Sequence, residues 1–394
     1  MEILSSETKK GALMGDPNIS ELLSRAEETF DRKDSIGNFE SQHSDRRWES
    51  PLYYPIVNEK LVRIDPGWLN DVIWPDSKKF AVCLTHDVDT VQVNSRLELS
   101  RRIMVLARYS RSTAELLKCL SSFVGLRRSP ATIDIFSPWI ELEKRFGFHS
   151  SFFLSATRVS KKHPRDNAYR LDDMMYYQGA KASVAEAVRD IYRQGWDVGL
   201  HGSFLSAVEY NLLAEQKEDL ETVLGHQVYT TRQHNLRFDM GITPGIQEKA
   251  GFQADSTLGF NRDVGFRSGI AYPFSMWDVN EKRWLRLLQI PLNLHDGALL
   301  RGDNLDLRAE IAYDVCRRII DRVIPTKGVV TLSWHPDCVL RPEWWSLYKR
   351  LLTYVHKQQG WGASLREVSD WWINQRFPHR LEGLISKIEL DGVS

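Results

Sequence analysis

Beyond residue 79 the chain alternates short β-rich runs with stretches that carry apolar residues at helical spacing, and this rhythm restricts the fold more than any other feature. Strands are expected at Phe80–Thr85, Ser151–Leu154, Asp197–Leu200, Gln227–Thr231, Gln253–Ser256, Leu287–Leu292 and Val329–Trp334. Helices are expected at Ile133–Phe146, Lys181–Gln194, Glu209–Leu224, Leu307–Val323 and Glu343–Lys357. Strand–helix alternation of this length means an α/β fold with a parallel sheet, because parallel neighbours must be joined by a long crossover. About seven such units favour a distorted, incomplete (β/α) barrel.

The flanks break the rhythm. Residues 1–78 form an N-terminal extension: 1–50 are polar, with a short helix expected at Ile19–Phe30, and 52–74 turn to Tyr, Pro, Trp and Ile, a segment laid against the main domain. The barrel domain is expected over 79–380, with a tail at 381–394. Within it, residues 94–129 are helical in pattern and basic, with Arg96, Arg101, Arg102, Arg108, Arg111, Lys118, Arg127 and Arg128 against Glu98 and Glu115. That stretch reads as an inserted helical hairpin with a solvated face. It also reads as a basic amphipathic surface for anionic lipid (a peripheral membrane contact) or for a phosphate-bearing substrate.

Lys plus Arg balances Asp plus Glu, 52 against 52, so no global field recruits nucleic acid. Four cysteines stand far apart with no CxxC pair, which gives neither a zinc ribbon nor a disulfide framework. The first residues show no apolar export region and no run approaches a membrane span, so a cytoplasmic location is expected. The 13 tryptophans are expected mainly in the core, some offering flat faces to sugar rings.

The chemistry lies where the strands end. After the first strand comes His86-Asp87-Val88-Asp89, after the third His201-Gly202-Ser203, after the fourth Arg232-Gln233-His234, and after the last His335-Pro336-Asp337. The C-terminal ends of parallel strands share one rim, so these residues converge. Asp87 and Asp89 are two apart on extended backbone, so their side chains point the same way. Adjacent carboxylates repel unless a cation intervenes or one is protonated. A divalent metal resolves the conflict: one carboxylate binds the ion and the other accepts a proton from its water. An imidazole at His201 is a natural further ligand. His335, whose side chain titrates near neutrality, is the natural general acid.

These segments resemble the polysaccharide deacetylase family (NodB homology, carbohydrate esterase family 4) over roughly residues 79–375, with the motifs in the family order. FAVCLTHDVD resembles its first motif, in the form with one residue between the acids that is similar to the peptidoglycan-deacetylase and allantoinase-like branch. The resemblance implies Asp87 as catalytic base and Asp89 as metal ligand. SSFFLSA resembles the following strand, and GWDVGLHGS resembles the second motif, with His201 as ligand. TRQHNLRF resembles the third, whose arginine, here Arg232, steadies the base while the backbone N–H near Asn235 helps form an oxyanion hole. GFQADSTLGF resembles a later strand end, with Asp255 as the acid that tunes the catalytic histidine, and LSWHPD resembles the last motif, with His335 as acid.

One departure matters. The family's second motif carries another histidine four residues after the first, where this chain has Leu205. His234, two residues beyond Arg232 on the same side of an extended strand, is expected to supply the missing nitrogen; water, Ser203 and His86 are alternatives, as is loss of the metal. The implied activity is metal-dependent removal of an N-acetyl or other acyl group from a sugar, with zinc the first expectation for the ion. The substrate would be an acetamido sugar, nucleotide- or lipid-linked, in cell-surface polysaccharide biosynthesis. Arg267, Tyr272 and Trp277, on an aromatic-rich loop, are candidate substrate contacts, and Asp296 is a rim carboxylate without an assigned role. Two rivals stand beside this reading. A DxD glycosyltransferase would use Asp87-Val88-Asp89, but residues 1–79 offer no nucleotide-binding half. A non-catalytic carbohydrate-binding homologue would explain the absent histidine. No GxSxG or GxGxxG motif supports a serine hydrolase or a dinucleotide-binding protein.

Overall fold

A computed structural model of the chain describes residues 31–33, 39–41, 54–91, 134–158, 163–278 and 281–382, single positions aside. The expected helix at Ile19–Phe30 lies outside the described residues. So do the basic stretch 94–129, apart from Ser100 and Ile103, and the tail beyond Glu382. Among the described residues no helix is long and apolar enough to cross a membrane.

One sheet organises the chain. Its strands are β1 (Phe80–Val88), β2 (Ser151–Leu154), β3 (Asp197–Gly202), β4 (Thr230–Gln233), β5 (Ala254–Asp255), β6 (Phe274–Asp278), β7 (Arg283–Gln289), β8 (Leu294–His295), β9 (Val329–Ser333) and β10 (Gly360–Ala363). The spatial order is β6-β7-β5-β4-β3-β2-β1-β9-β8, with β10 beside β1. Only the β6–β7 pair is antiparallel. The sheet curls back on itself: β7 pairs with β5, and a few residues later β8 pairs with β9. Between them Leu292 N–H donates to Leu258 O and Asn293 N–H to Thr331 O, so one run of chain borders both edges of a distorted, incomplete barrel.

The expected strand–helix alternation is present, with helices α1 (Ser137–Phe146), α2 (Val184–Arg193), α3 (Tyr210–Leu224), α4 (Thr243–Lys249), α5 (Asp296–Leu300), α6 (Ala309–Val323), α7 (Pro342–Lys357) and α8 (Leu365–Asn374). Several boundaries shift by a few residues, and one shift has a local cause. The helix expected from Lys181 begins only at Val184, because Ser183 accepts from Glu186 N–H while the Glu186 carboxylate accepts from Ser183 N–H. This reciprocal capping box fixes the first turn and leaves Ala180–Ser183 as a strand paired with Met174–Tyr177.

Two hydrophobic layers follow from the two-residue period of β1. Phe80, Val82 and Leu84 face the helices, together with Phe152, Leu154, Val198, Leu200, Val330 and Leu332. Ala81 and Cys83 face the barrel interior with Phe153, Ala254, Leu288 and Val329. Trp68, Trp74 and Trp372 close this inner layer, and Trp74 Nε1 donates to Lys327 O just before β9. The inner wall is thin-walled by necessity. A Cβ on Gly199 would lie 2.5 Å from the Phe153 ring and 2.6 Å from Thr230 Oγ1.

His86, next on β1, points outward and is fully buried. Its Nδ1 meets Trp334 O and its Nε2 meets Glu143 Oε1, each at 2.8 Å. Glu143 on α1 also accepts from Ser150 Oγ, Trp196 Nε1 and Tyr348 OH; burial pushes its carboxyl up, but His86, with Ser150 and Trp196, holds it below the usual range. One buried carboxylate therefore locks β1 to α1 and α7. Glu143→Ala should lower unfolding stability by about 3–5 kcal/mol, because it strands a buried imidazole and three donors together. Urea titration checks this, and a loss within 1 kcal/mol of zero would refute the hub.

Candidate metal centre

The inner column of β1 continues upward from Ala81 and Cys83 through Thr85 to Asp87, and Asp89 follows at the strand's end. His201 ends β3, Arg232 lies on β4, His234 follows it, and His335 follows β9. The curl of the sheet brings these four segments to one rim.

Arg232 is fully buried and anchors the group. Its Nη1 donates to Thr85 Oγ1 at 2.7 Å and to Asp87 Oδ1 at 2.8 Å. Its Nε and Nη2 donate to Ser256 O and Oγ, and the guanidinium lies 4.8 Å from the Phe153 ring centroid. Burial pushes the Asp87 carboxyl up, but the Arg232 charge, with His201 and His335, more than reverses this, so Asp87 is held ionised.

Asp89 receives three imidazoles. His201 Nε2 and His234 Nε2 lie 3.4 and 3.6 Å from its Oδ1, and His335 Nε2 lies 3.4 Å from its Oδ2. Asp89 Oδ1 is buried without a hydrogen-bond partner. His201 Nδ1 contacts Arg232 O at 2.9 Å, and a carbonyl can only accept, so Nδ1 carries the proton. Nε2 is the ring nitrogen left facing Asp89, the atom a metal ligand would offer. Asp89, His201 and His234 each offer one donor atom, all within 4.8 Å of one another. Tetrahedral zinc with bonds near 2.0–2.2 Å separates its ligand atoms by about 3.3–3.6 Å, so an N,N,O set at these spacings fits a small divalent ion.

His335 has a different second partner. Its Nδ1 donates to Asp296 Oδ1 at 2.7 Å, and Asp296 also accepts from His335 N–H, Gly297 N–H and Cys338 Sγ. Burial lowers the imidazole's pKa, but the Asp296 charge overrides it and, with Asp89, raises it well above the ordinary value. Asp296 itself is held far below the usual carboxylate range, burial being outweighed by His335.

Several expectations change here. The acid beside the histidine is Asp296, not Asp255. Asp255 accepts from Gln247 Nε2, Thr257 N–H and Thr257 Oγ1, and burial pushes its carboxyl up to about 6. Asp296 follows directly on β8, the same strand-end signal that marked the other site residues, but its partner depends on how the barrel curls. His86 points away from the rim, and Ser203 is bonded to Gln216, so neither alternative nitrogen or oxygen donor is in place. Arg267 is fully buried with Nη1 donating to Gly259 O, which removes it from the surface. Tyr272 is core, stacked on Trp372. Trp277 pairs with Trp284 at the start of β7, the opposite end of the parallel strands from Gln289, so it lies away from the rim. Asn235, in a short 3-10 turn after His234, adopts a left-handed backbone with φ of 58°, and its carbonyl accepts from Asn261 Nδ2.

Removing the second nitrogen separates a three-ligand site from a two-ligand one. His234→Ala should weaken zinc binding by more than the roughly 10–100-fold that loss of a supporting partner costs. Unchanged metal stoichiometry and affinity, measured by competition with a chromogenic chelator, would remove His234 from the centre.

No family model matches the chain, and no curated protein matches it. Solved structures do. A Mycobacterium smegmatis protein assigned as a polysaccharide deacetylase aligns over 77% of this chain and 94% of its own, at 18% identity and a TM-score of 0.53. PuuE allantoinase aligns over 76% and 92%, at 13% identity and a TM-score of 0.49. A CE4 family pseudoenzyme from Bacillus anthracis aligns over 75% and 66%, at 12% identity and a TM-score of 0.34. At the identity and coverage of the first, the likeness establishes architecture: this chain has the curled β/α barrel of a polysaccharide-deacetylase-like protein.

Proposed function

We propose that the chain is a metal-dependent hydrolase that removes an acyl group, acetyl first, from the nitrogen of an amino sugar. The observation that carries this reading is one rim where a partly buried N,N,O donor set lies between two titratable groups held in opposite charge states. Asp89, His201 and His234 would hold the ion, with zinc the best match to two imidazoles and a carboxylate. A divalent ion bound there would polarise the acyl carbonyl and acidify a water beside it.

The chain's own residues supply the rest. Asp87, kept ionised by Arg232, takes a proton from the water that attacks the acyl carbon. As the C–N bond breaks, His335 gives its Nε2 proton to the departing nitrogen, which otherwise leaves as a very poor amide anion. Asp296 keeps that imidazole protonated and fixes its orientation through Nδ1. The left-handed turn at Asn235 and Leu236, directly after His234, presents backbone beside the centre, where an N–H would meet charge developing on the acyl oxygen.

Acetate release from N-acetylated sugars by the zinc-loaded chain tests the activity. Asp87→Asn and His335→Ala should each lower kcat about 10²–10⁴-fold, the range of general acid–base groups. Metal binding without acetate or other acyl release from any amino sugar would favour the non-catalytic carbohydrate-binding reading. The pH dependence has a definite sign. A protonated His335 is the working form, so activity is lost on the alkaline side, and the raised pKa moves that loss above the ordinary imidazole range. Asp296→Asn removes the charge that raises it, so the alkaline limb should move to lower pH, read from kcat profiles. An unmoved limb would show that Asp296 does not set the acid.

A further inference from the structure

Phe204 stands three residues after His201, and Arg237 three residues after His234, so the loops leaving the two imidazole-bearing strands meet beside the centre. Phe204 is buried and ringed by basic groups. The His163 ring stacks on it with centroids 4.6 Å apart, and the Arg237 and Arg165 guanidinium groups lie 4.3 and 5.8 Å from its centroid. Arg237 is fixed in place: its Nη1 donates to Phe204 O at 2.7 Å, and its backbone N–H donates to His234 O.

What this cluster's two arginines lack is a carboxylate paired with them. Among the described residues neither Arg165 nor Arg237 forms an ion pair. Asp166 directly follows Arg165, but its two oxygens accept from Phe204 N–H at 2.7 Å and His163 N–H at 2.6 Å. Glu209 and Asp239 act on Arg237 only at longer range, and burial still pulls its pKa below the ordinary guanidinium value. A half-buried guanidinium with five N–H donors, one of them used on a carbonyl, is arranged for an oxyanion that the chain itself does not provide.

We propose that Arg165 and Arg237 form an oxyanion subsite beside the metal centre, and that the acylamino sugar acted on carries a phosphate or carboxylate group. This deepens the deacetylase reading, on which it rests for the acyl group alone. Phe204 supplies the platform: His163 and Arg237 are pinned against its ring, so the arginine forks are presented without the entropy cost of ordering free side chains.

Titration calorimetry on the full chain at low salt tests this with three probes that share one ring: N-acetylglucosamine, its 1-phosphate and its 6-uronate. Either anionic sugar should bind at least about tenfold more tightly than the neutral one, and the tighter of the two identifies the group recognised. Raising NaCl to about 0.5 M should erode that preference. Arg165→Gln, on an exposed side chain, should reduce the ratio several-fold, and adding Arg237→Gln should bring the affinities within about twofold. Thermal unfolding confirms that the double variant is folded; if it is not, the Arg165→Gln ratio decides alone. Equal affinity of the native chain for all three probes, no detectable binding of any, or a ratio that ignores the substitutions would overturn the subsite. Binding and acyl release are measured separately, so the two readings fail separately. Anion preference without acyl release removes the deacetylase and leaves the subsite, and acyl release from the neutral sugar without preference does the reverse.

Discussion

A guanidinium with no exposed surface stands at the centre of the rim, and the rest of the site is arranged around it. Burying an arginine costs several kcal/mol unless its charge and donors are met. Arg232 meets them across three strands, with Thr85 and Asp87 on β1 and Ser256 after β5. Its own carbonyl accepts from His201 on β3. One residue therefore fixes the ionisation of the carboxylate, the tautomer of the first imidazole and, two positions on, the placement of His234. The hydrolase reading depends on this pairing. A neutral group at 232 would leave Asp87 with burial pushing its pKa up, and β1 would no longer be tied to β5 through a shared partner.

The same economy explains how the chain manages with leucine at position 205. A loop histidine after β3 is one way to place a second nitrogen near Asp89; a residue after β4 is another, since neighbouring parallel strands end side by side. The register pairs His201 with Arg232 across β3 and β4, so His234 lies one step further along the same rim, its ring centroid 5.1 Å from that of His201. In the proposed centre the second nitrogen would come from the end of β4 and serve the same carboxylate.

Much of this was legible in the sequence, for a reason that also marks where legibility ends. Period-two patterning and strand ends are local, so the seven barrel strands, the five main helices and the convergence of Asp87, Asp89, His201, Arg232, His234 and His335 could be read from residue order. Contacts set by closure are not local. Asp255 and Asp296 both stand at strand ends, but only the turn from β7 into β8 determines that Asp296 meets His335. Trp277 looked well placed because its loop joins barrel segments; the antiparallel register of β6 carries it to the other end. Arg267 has the composition of a ligand-binding residue and is wholly interior. The short β10 and the hairpin at Met174–Ser183 carry too few alternating residues for their period to show.

The two titratable groups flanking the donor set would, left to themselves, settle their protons between them. A carboxylate and an imidazole facing one cleft form an ion pair, and each sets the other's pKa. Here each has a buried partner of opposite charge on its far side, Arg232 behind Asp87 and Asp296 behind His335. Asp87 is held deprotonated by a group that cannot lose its charge, and His335 is held protonated by a carboxylate stabilised through three further donors. Arg232 and Asp296 thus lead in setting these proton states, with His335 adding to the hold on Asp87. In the proposed reaction the proton that Asp87 gains and the proton that His335 loses leave both groups temporarily against their partners' preference, and that bias returns each to its starting state. A barrel that buries its ion pairs at the rim has a way to reset the site without moving a single strand.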